Sequence, residues 1–225
     1  MRTSALEIDH LVVVVKPGAP EKAILERAGL VESYRRAHPG QGTSNVCYCF
    51  DNAYLELAWE VDRAELTSPA IRRTGLAERA SWRTSGAAPF GIALRTVPPE
   101  GSIPFETWDY RAPFLPSGMV ILVAVSSDDP RQPLLFQSPG SKRPDRWTDG
   151  RAGARQTAVG LADISGLELI FPEDVEPAED YRILENSGLL SVKRFGEDHH
   201  MVLTLSRAGS TKPIRLSLPE FVWLE

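Results

Sequence analysis

Hydrophobic and polar positions near the start of the chain follow the pattern of strands with one helix between them. Residues 10–15 (HLVVVV) are a β-branched run, which predicts a strand buried on both faces. Apolar positions then recur at helical spacing up to Gly29, a residue typical of the position just past a helix end. Three further strands are predicted at residues 31–36, 44–50 and 54–59. Residues 1–62 are therefore predicted to form a β-α-β-β-β unit.

The same order of elements returns near the end of the chain. The segment 24–30 (ILERAGL) is echoed by the segment 183–189 (ILENSGL), and each follows an apolar run and precedes strand-like runs. Such internal similarity is typical of repeated supersecondary units. We therefore predict a second β-α-β-β-β unit over residues 154–225, in which residues 160–218 superpose on residues 7–60.

The segment between the two units, residues 63–153, has a weaker pattern. Its strand candidates are residues 90–95, 105–111, 119–125 and 133–137. These strands belong either to a connecting segment or to a third, degenerate copy in which a turn replaces the helix. In both cases the predicted fold class is α+β, with repeated β-α-β-β-β units forming curved mixed sheets around a concave cleft in one compact domain.

Composition excludes several classes of protein. The chain has 225 residues, 42% of them hydrophobic, so it can bury an ordinary core. A net charge of −5 gives no basic surface for nucleic acid, and no apolar run approaches the ~20 residues that span a bilayer. The first residues lack a secretory pattern, and Cys47 and Cys49 favour buried side chains in a reduced compartment over a disulfide, metal or redox pair. We therefore expect a cytoplasmic protein whose partner is a small-molecule ligand, with a homodimer left open.

A carboxylate in an apolar strand is the first candidate for chemistry. Glu56 lies within residues 54–59 (YLELAW), where strand alternation places it opposite Leu55 and Leu57 and so on the concave face. Burial of a lone carboxylate is costly, so Glu56 is expected to meet water, a partner or a metal. With His10, at the start of the first strand, it would form half of a site for Zn, Fe, Mn or Ni. The alternative is that Glu56 meets an arginine or solvent and that His10 bonds a backbone carbonyl.

Four stretches of the chain carry a family resemblance. DHLVVVV, AGL, HPGQGTSN and AYLEL together resemble the glyoxalase-like branch of the vicinal oxygen chelate superfamily, most strongly over residues 7–60. The resemblance implies paired β-α-β-β-β units around a pocket, with His10 and Glu56 as ligands of a divalent metal and Glu56 as the catalytic residue. It also implies substrate contacts from the Gly-rich turn and the strand after it. These candidates are His38, Gln41, Thr43 and Asn45.

The chain departs from that family pattern outside the first unit. When the two repeats are aligned, Gly166 corresponds to His10 and Arg215 to Glu56, and neither residue replaces a metal ligand. Arg215 is instead predicted to pair with Glu56, or to bind a carboxylate or phosphate in the pocket. If the middle segment is the partner half, Gln137 is a weak candidate for a further metal ligand.

Aromatic and histidine residues are the remaining candidates for the functional site. Trp108 and Tyr110 share a strand face and would line an apolar pocket. His199 and His200 follow two acidic residues and are expected in a solvated loop. Two functions stay open: metal-assisted lyase, isomerase or dioxygenase chemistry on a small oxygenated molecule, or metal-free binding of such a molecule, as in resistance proteins. In either case any metal is expected to be a weakly held divalent ion.

Overall fold

The computed structural model describes residues 5–97, 101–140 and 142–224. Over these residues the chain forms two mixed β-sheets, of eight and five strands, with five short α-helices. The helices are α1 (Lys22–Arg27), α2 (Arg63–Leu66), α3 (Leu76–Ala80), α4 (Trp82–Ser85) and α5 (Glu179–Asn186). Short 3₁₀ turns lie at Arg72–Thr74, Val125–Asp128, Pro144–Arg146 and Gln156–Val159. No helix in these ranges is long and apolar enough to cross a membrane.

The large sheet consists of two halves, from two successive segments of the chain, that have the same internal strand order. Its first half contains β1 (Ala5–Val14), β2 (Tyr34–His38), β3 (Thr43–Cys49) and β4 (Tyr54–Glu60). Its second half contains β5 (Phe90–Val97), β6 (Thr107–Tyr110), β7 (Ile121–Ala124) and β8 (Leu134–Gln137). The order is β2-β3-β4-β1-β5-β8-β7-β6, with β1 parallel to β4, β5 parallel to β8, and β1 antiparallel to β5 at the centre. The middle segment is therefore the partner half of the first unit.

The small sheet repeats the order of elements but not their pairing. Its strands are β9 (Leu161–Phe171), β10 (Ser191–Arg194), β11 (His200–Arg207), β12 (Ile214–Leu218) and β13 (Val222–Leu224). Gly29 after α1 and Gly188 after α5 both adopt positive φ, of 90° and 77°, so the helix ends match. However, β9 pairs with β10 and β11, whereas β1 pairs with β4 and β5. The predicted superposition of residues 160–218 on residues 7–60 is therefore wrong.

The larger core lies between the two sheets, whereas the other face of the large sheet carries the cleft and a smaller buried cluster in which Leu66 and Ile71 pack against Val123. Leu11 and Leu57 of the large sheet pack in one buried cluster with Leu169 and Leu203 of the small sheet. The small sheet and Leu25 of α1 thus cover this face of the large sheet. Strand alternation along β4 then turns Glu56 to the opposite face, as predicted.

Candidate functional site

A cleft of about 480 Å³ opens on the face of the large sheet that the small sheet does not cover. This volume lies within the range of small-molecule sites. Its polar end is supplied by the first half of the sheet. The polar side chains there are Asp9, His10, His38, Gln41, Asn45 and Glu56, and each is less than a tenth exposed. The cleft is therefore a concave site in which buried polar groups converge.

An irregularity in β1 places two consecutive side chains in this cleft. The register between β1 and β5 shifts between Ile8 and His10, so Asp9 is an extra residue in the strand. Regular alternation would send Asp9 and His10 to opposite faces, yet both line the cleft. Asp9 Oδ1 lies 2.7 Å from His10 Nδ1, and the ring of Tyr54 stacks on the imidazole at 4.4 Å between centroids. The imidazole is thereby fixed in both position and orientation.

The second nitrogen of His10 faces Glu56. The distance from His10 Nε2 to Glu56 Oε2 is 3.7 Å, and Glu56 Oε1 accepts a hydrogen bond of 2.8 Å from Asn45 Nδ2. When Nδ1 donates its proton to Asp9, Nε2 becomes an acceptor that faces the carboxylate across the floor of the cleft. The pair thus offers two acceptor atoms to a ligand with a hydroxyl or N–H group.

A second polar cluster lies beside this pair. Gln41 Nε2 donates to Thr43 Oγ1 at 2.8 Å, and His38 Nδ1 lies 2.9 Å from the same oxygen. The hydroxyl of Tyr110, from the partner half, donates to Gln41 Oε1 at 2.7 Å. Burial lowers the pKa of His38, which favours its neutral form at pH 7. The structure therefore brings His38, Gln41 and Thr43 together as neutral hydrogen-bonding groups.

The turn that carries these residues depends on Gly42. Gly42 has φ of 78°, and a Cβ there would lie 2.3 Å from the backbone oxygen of Asp62. No larger residue fits this close approach. The turn between β2 and β3 therefore packs against the start of α2 and holds Gln41 over the cleft.

The second half of the sheet meets the cleft with apolar groups. His10 and Val12 pair across the centre with Ala93 and Gly91 of β5, and β8 presents Leu134 and Phe136. Ile121 and Val123 of β7 extend this wall. One half of the sheet thus supplies polar groups, and the other half supplies a surface that is apolar apart from the hydroxyl of Tyr110.

The described residues of the second half of the sheet add no His, Cys, Asp or Glu side chain to the cleft, and this limits how well the site fits a metal. Catalytic zinc sites use three protein ligands, and His10 and Glu56 supply two. Within residues 5–97, 101–140 and 142–224, no three His, Cys, Asp or Glu side chains form a group that could hold a metal ion. The residues present do not fit a tightly held catalytic metal.

Comparison with known proteins agrees with this architecture. Residues 8–103 match the family model described as a glyoxalase-like domain. The chain contains a glyoxalase-like domain. The match confirms the resemblance to the vicinal oxygen chelate superfamily and extends from β1 through β5. A search of curated proteins returns no match.

The structure does not place Arg215 in the cleft. Arg215 lies in β12 of the small sheet, where its Nη2 is 3.5 Å from Glu168 Oε1. The predicted pairing of Arg215 with Glu56 assumed that β12 stands to β9 as β4 stands to β1. Since β12 pairs with β11 and β13 instead, Arg215 belongs to another surface, and both of its predicted roles are corrected.

Gln137 and Trp108 are also absent from the lining of the cleft. Phe136 points into the cleft, so its neighbour Gln137 faces the other way and donates to Thr96 Oγ1 at 3.4 Å. Trp108 lies behind Tyr110, at 6.0 Å between ring centroids, with the guanidinium of Arg73 over its ring. Neither residue contacts the cleft as predicted, whereas Tyr110 does.

Sequence reasoning missed Asp9 and three cations that line the cleft. Asp9 precedes His10, and alternation alone assigns it to the opposite face; only the irregular register reveals it. The cations are Arg36, Lys142 and Arg151, all exposed residues that line the cleft. Two of them lie in a polar, Pro/Gly-rich connection, where no periodicity indicates which way a side chain points.

Proposed function

We propose that the cleft binds a small oxygenated organic molecule without a metal. The observation that carries the proposal is the division of the cleft into a polar end and an apolar wall. Such a site fixes a ligand by a few polar contacts and stabilises it by apolar burial. A hydroxyl or N–H group of the ligand would donate to Glu56 or to His10 Nε2, and its carbon skeleton would lie against Leu134 and Phe136.

Binding of 2-naphthol tests this proposal, because the probe joins one hydroxyl group to an apolar body. We expect saturable, one-to-one binding by titration calorimetry. The variant Ile121→Trp, which adds an indole to the apolar wall, should weaken binding at least about tenfold, because it occupies the space of the ligand.

The matched control is Val222→Trp, which adds the same ring on β13 of the small sheet, at a residue 49% exposed. Its affinity for 2-naphthol should equal that of the unmodified protein. Absence of binding, or equal binding by Ile121→Trp in a folded state verified by circular dichroism, would contradict the proposal.

Metal-assisted catalysis is the second candidate function. The observation in its favour is that His10 Nε2 and Glu56 Oε2 face each other at 3.7 Å beside the cleft. Both groups are of types that bind Zn, Fe, Mn or Ni. Two protein ligands leave most of the coordination sphere to water, so an ion held there would exchange readily.

Elemental analysis separates the two functions. We expect purified protein to retain well under one equivalent of any divalent metal after dialysis, and its thermal midpoint to be unchanged by EDTA, because a weakly bound ion adds little to stability. The same measurement on His10→Gln serves as the baseline. About one equivalent that survives dialysis, together with a fall in midpoint on chelation that His10→Gln does not show, would favour the metal-assisted enzyme.

A further inference from the structure

Three cations surround the mouth of a cleft in a protein whose net charge is −5. Arg36 on β2, together with Lys142 and Arg151 from the connection after β8, lines the opening. Arg151 lies over the ring of Trp147, with its guanidinium carbon 4.1 Å from the ring centroid, and its Nε lies 3.3 Å from Asp149 Oδ2. Among the described residues neither Arg36 nor Lys142 forms an ion pair. The mouth therefore presents positive charge that no carboxylate of the described chain neutralises at these two positions.

The floor of the cleft carries the opposite charge. Asp9 and Glu56 both line it, and each is less than a tenth exposed. Arg95 pairs with Asp9, because its Nη1 lies 3.5 Å from Asp9 Oδ2, and its Nη2 also bonds Glu7 Oε2 and the backbone oxygen of Asn52, each at 2.7 Å. No arginine or lysine of the described residues pairs with Glu56, so an anion at the floor would meet this carboxylate, and the charge pattern favours a donor group inside and an anion at the mouth.

We propose that the ligand is an apolar organic anion with a hydroxyl or N–H group at the end opposite its charge. This inference rests on the proposed function and names the class of ligand. The donor group bonds Glu56 and His10 at the floor, the apolar body lies along Leu134 and Phe136, and the anionic group reaches Arg36 and Lys142. The contribution of the anion is modest and depends on salt, because the rim cations are exposed.

Two probes that differ by one carboxylate test the anionic end. At neutral pH and about 0.01 M salt, 6-hydroxy-2-naphthoate should bind about fivefold more tightly than 2-naphthol, the gain expected from two exposed ion pairs. In about 1 M salt the advantage should vanish, because the Debye length falls to about 3 Å.

Variants locate the effect at the mouth of the cleft. The double variant Arg36→Met/Lys142→Met should bind both probes equally, whereas the control Lys212→Met, in the turn after β11, should keep the fivefold preference. Arg151 is left in place because it also packs on Trp147. If the carboxylate adds no affinity, or if the preference survives in the double variant, the anionic class is overturned.

A third probe tests the donor end. 2-Naphthoate, which lacks the hydroxyl group, should bind about tenfold more weakly than 6-hydroxy-2-naphthoate, since a hydrogen bond to a charged group contributes about 1.5 kcal/mol. In Glu56→Gln the two naphthoates should differ less. Equal affinity of the two naphthoates for the unmodified protein would contradict the inner placement of the donor. Binding of 2-naphthol in the cleft tests the proposed function alone. A failure of the anionic class can therefore be distinguished from a failure of the proposed function.

Discussion

Arg79→Met should lower the free energy of unfolding by about 4 kcal/mol, because it leaves several buried carbonyl groups without their donor. Arg79 lies in α3, is 1% exposed, and faces backbone oxygens rather than a carboxylate. Its guanidinium donates to the carbonyl oxygens of Thr74, Ala88, Ser127, Pro130 and Gln132, at 2.6 to 3.5 Å. Burial lowers the pKa of this group to about 10, so it stays charged at pH 7.

Urea denaturation at pH 7 measures the effect. Arg79→Lys keeps the charge but loses the planar fork of five N–H donors, so it should still be destabilised by about 2 kcal/mol. Arg83→Met is the matched control, since Arg83 lies on α4 with its guanidinium 4.1 Å from the ring centroid of Trp82 in a solvent-facing pair. That variant should change stability by less than about 1 kcal/mol. Equal losses for Arg79→Met and Arg83→Met would show that the carbonyl cluster contributes little.

Stability should also fall by about 3 kcal/mol through one histidine as the pH decreases from about 6.5 to about 4. His199 is 7% exposed, and its Nε2 lies 2.7 Å from the carbonyl oxygen of Arg131, to which it donates when neutral. Burial lowers the pKa of His199 to about 4. The unfolded chain takes up this proton near the ordinary pKa of about 6.5, so acid favours the unfolded state in that window and the stabilisation is complete above it.

Unfolding in urea at several pH values separates His199 from other titrating groups. His199→Gln retains an N–H donor and removes the titration, so its stability should depend less steeply on pH between about 4 and about 6.5. His200→Gln is the control, because His200 is more exposed and lies 3.4 Å from Glu220. If His199→Gln keeps the slope of the unmodified protein, the buried imidazole does not govern acid stability.

The local pattern of the sequence predicted the strands and helices. Which strands pair with each other depended on contacts between residues distant in the chain. Alternation along β4 was sufficient to place Glu56 in the cleft, because a strand has a period of two. The repeat of 24–30 in 183–189 correctly indicated two helices that end at glycine. It misled on Arg215, because the order of strands along a chain does not fix which strands become neighbours.

The burial of His199 and the extra residue Asp9 in β1 could not be predicted from the sequence pattern. His199 follows two acidic residues, which suggested a solvated loop, yet its side chain is buried and its Nε2 lies 2.7 Å from the carbonyl oxygen of Arg131. Asp9 enters the cleft only because β1 carries one residue more than β5 across their shared edge. Both features arise where two distant segments meet, and neither leaves a periodic signal.

The position of β8 in the large sheet has a consequence for the boundaries of the folding unit. β5 lies between β1 and β8, and β8 falls outside the matched residues 8–103. A polypeptide that ended with the match would leave one edge of β5 unpaired, although seven of its eight residues are buried in the native fold. An apolar open edge recruits strands from other molecules and leads to aggregation. The chain must therefore be synthesised beyond the matched residues 8–103, as far as β8, before β5 has a partner strand on both of its edges.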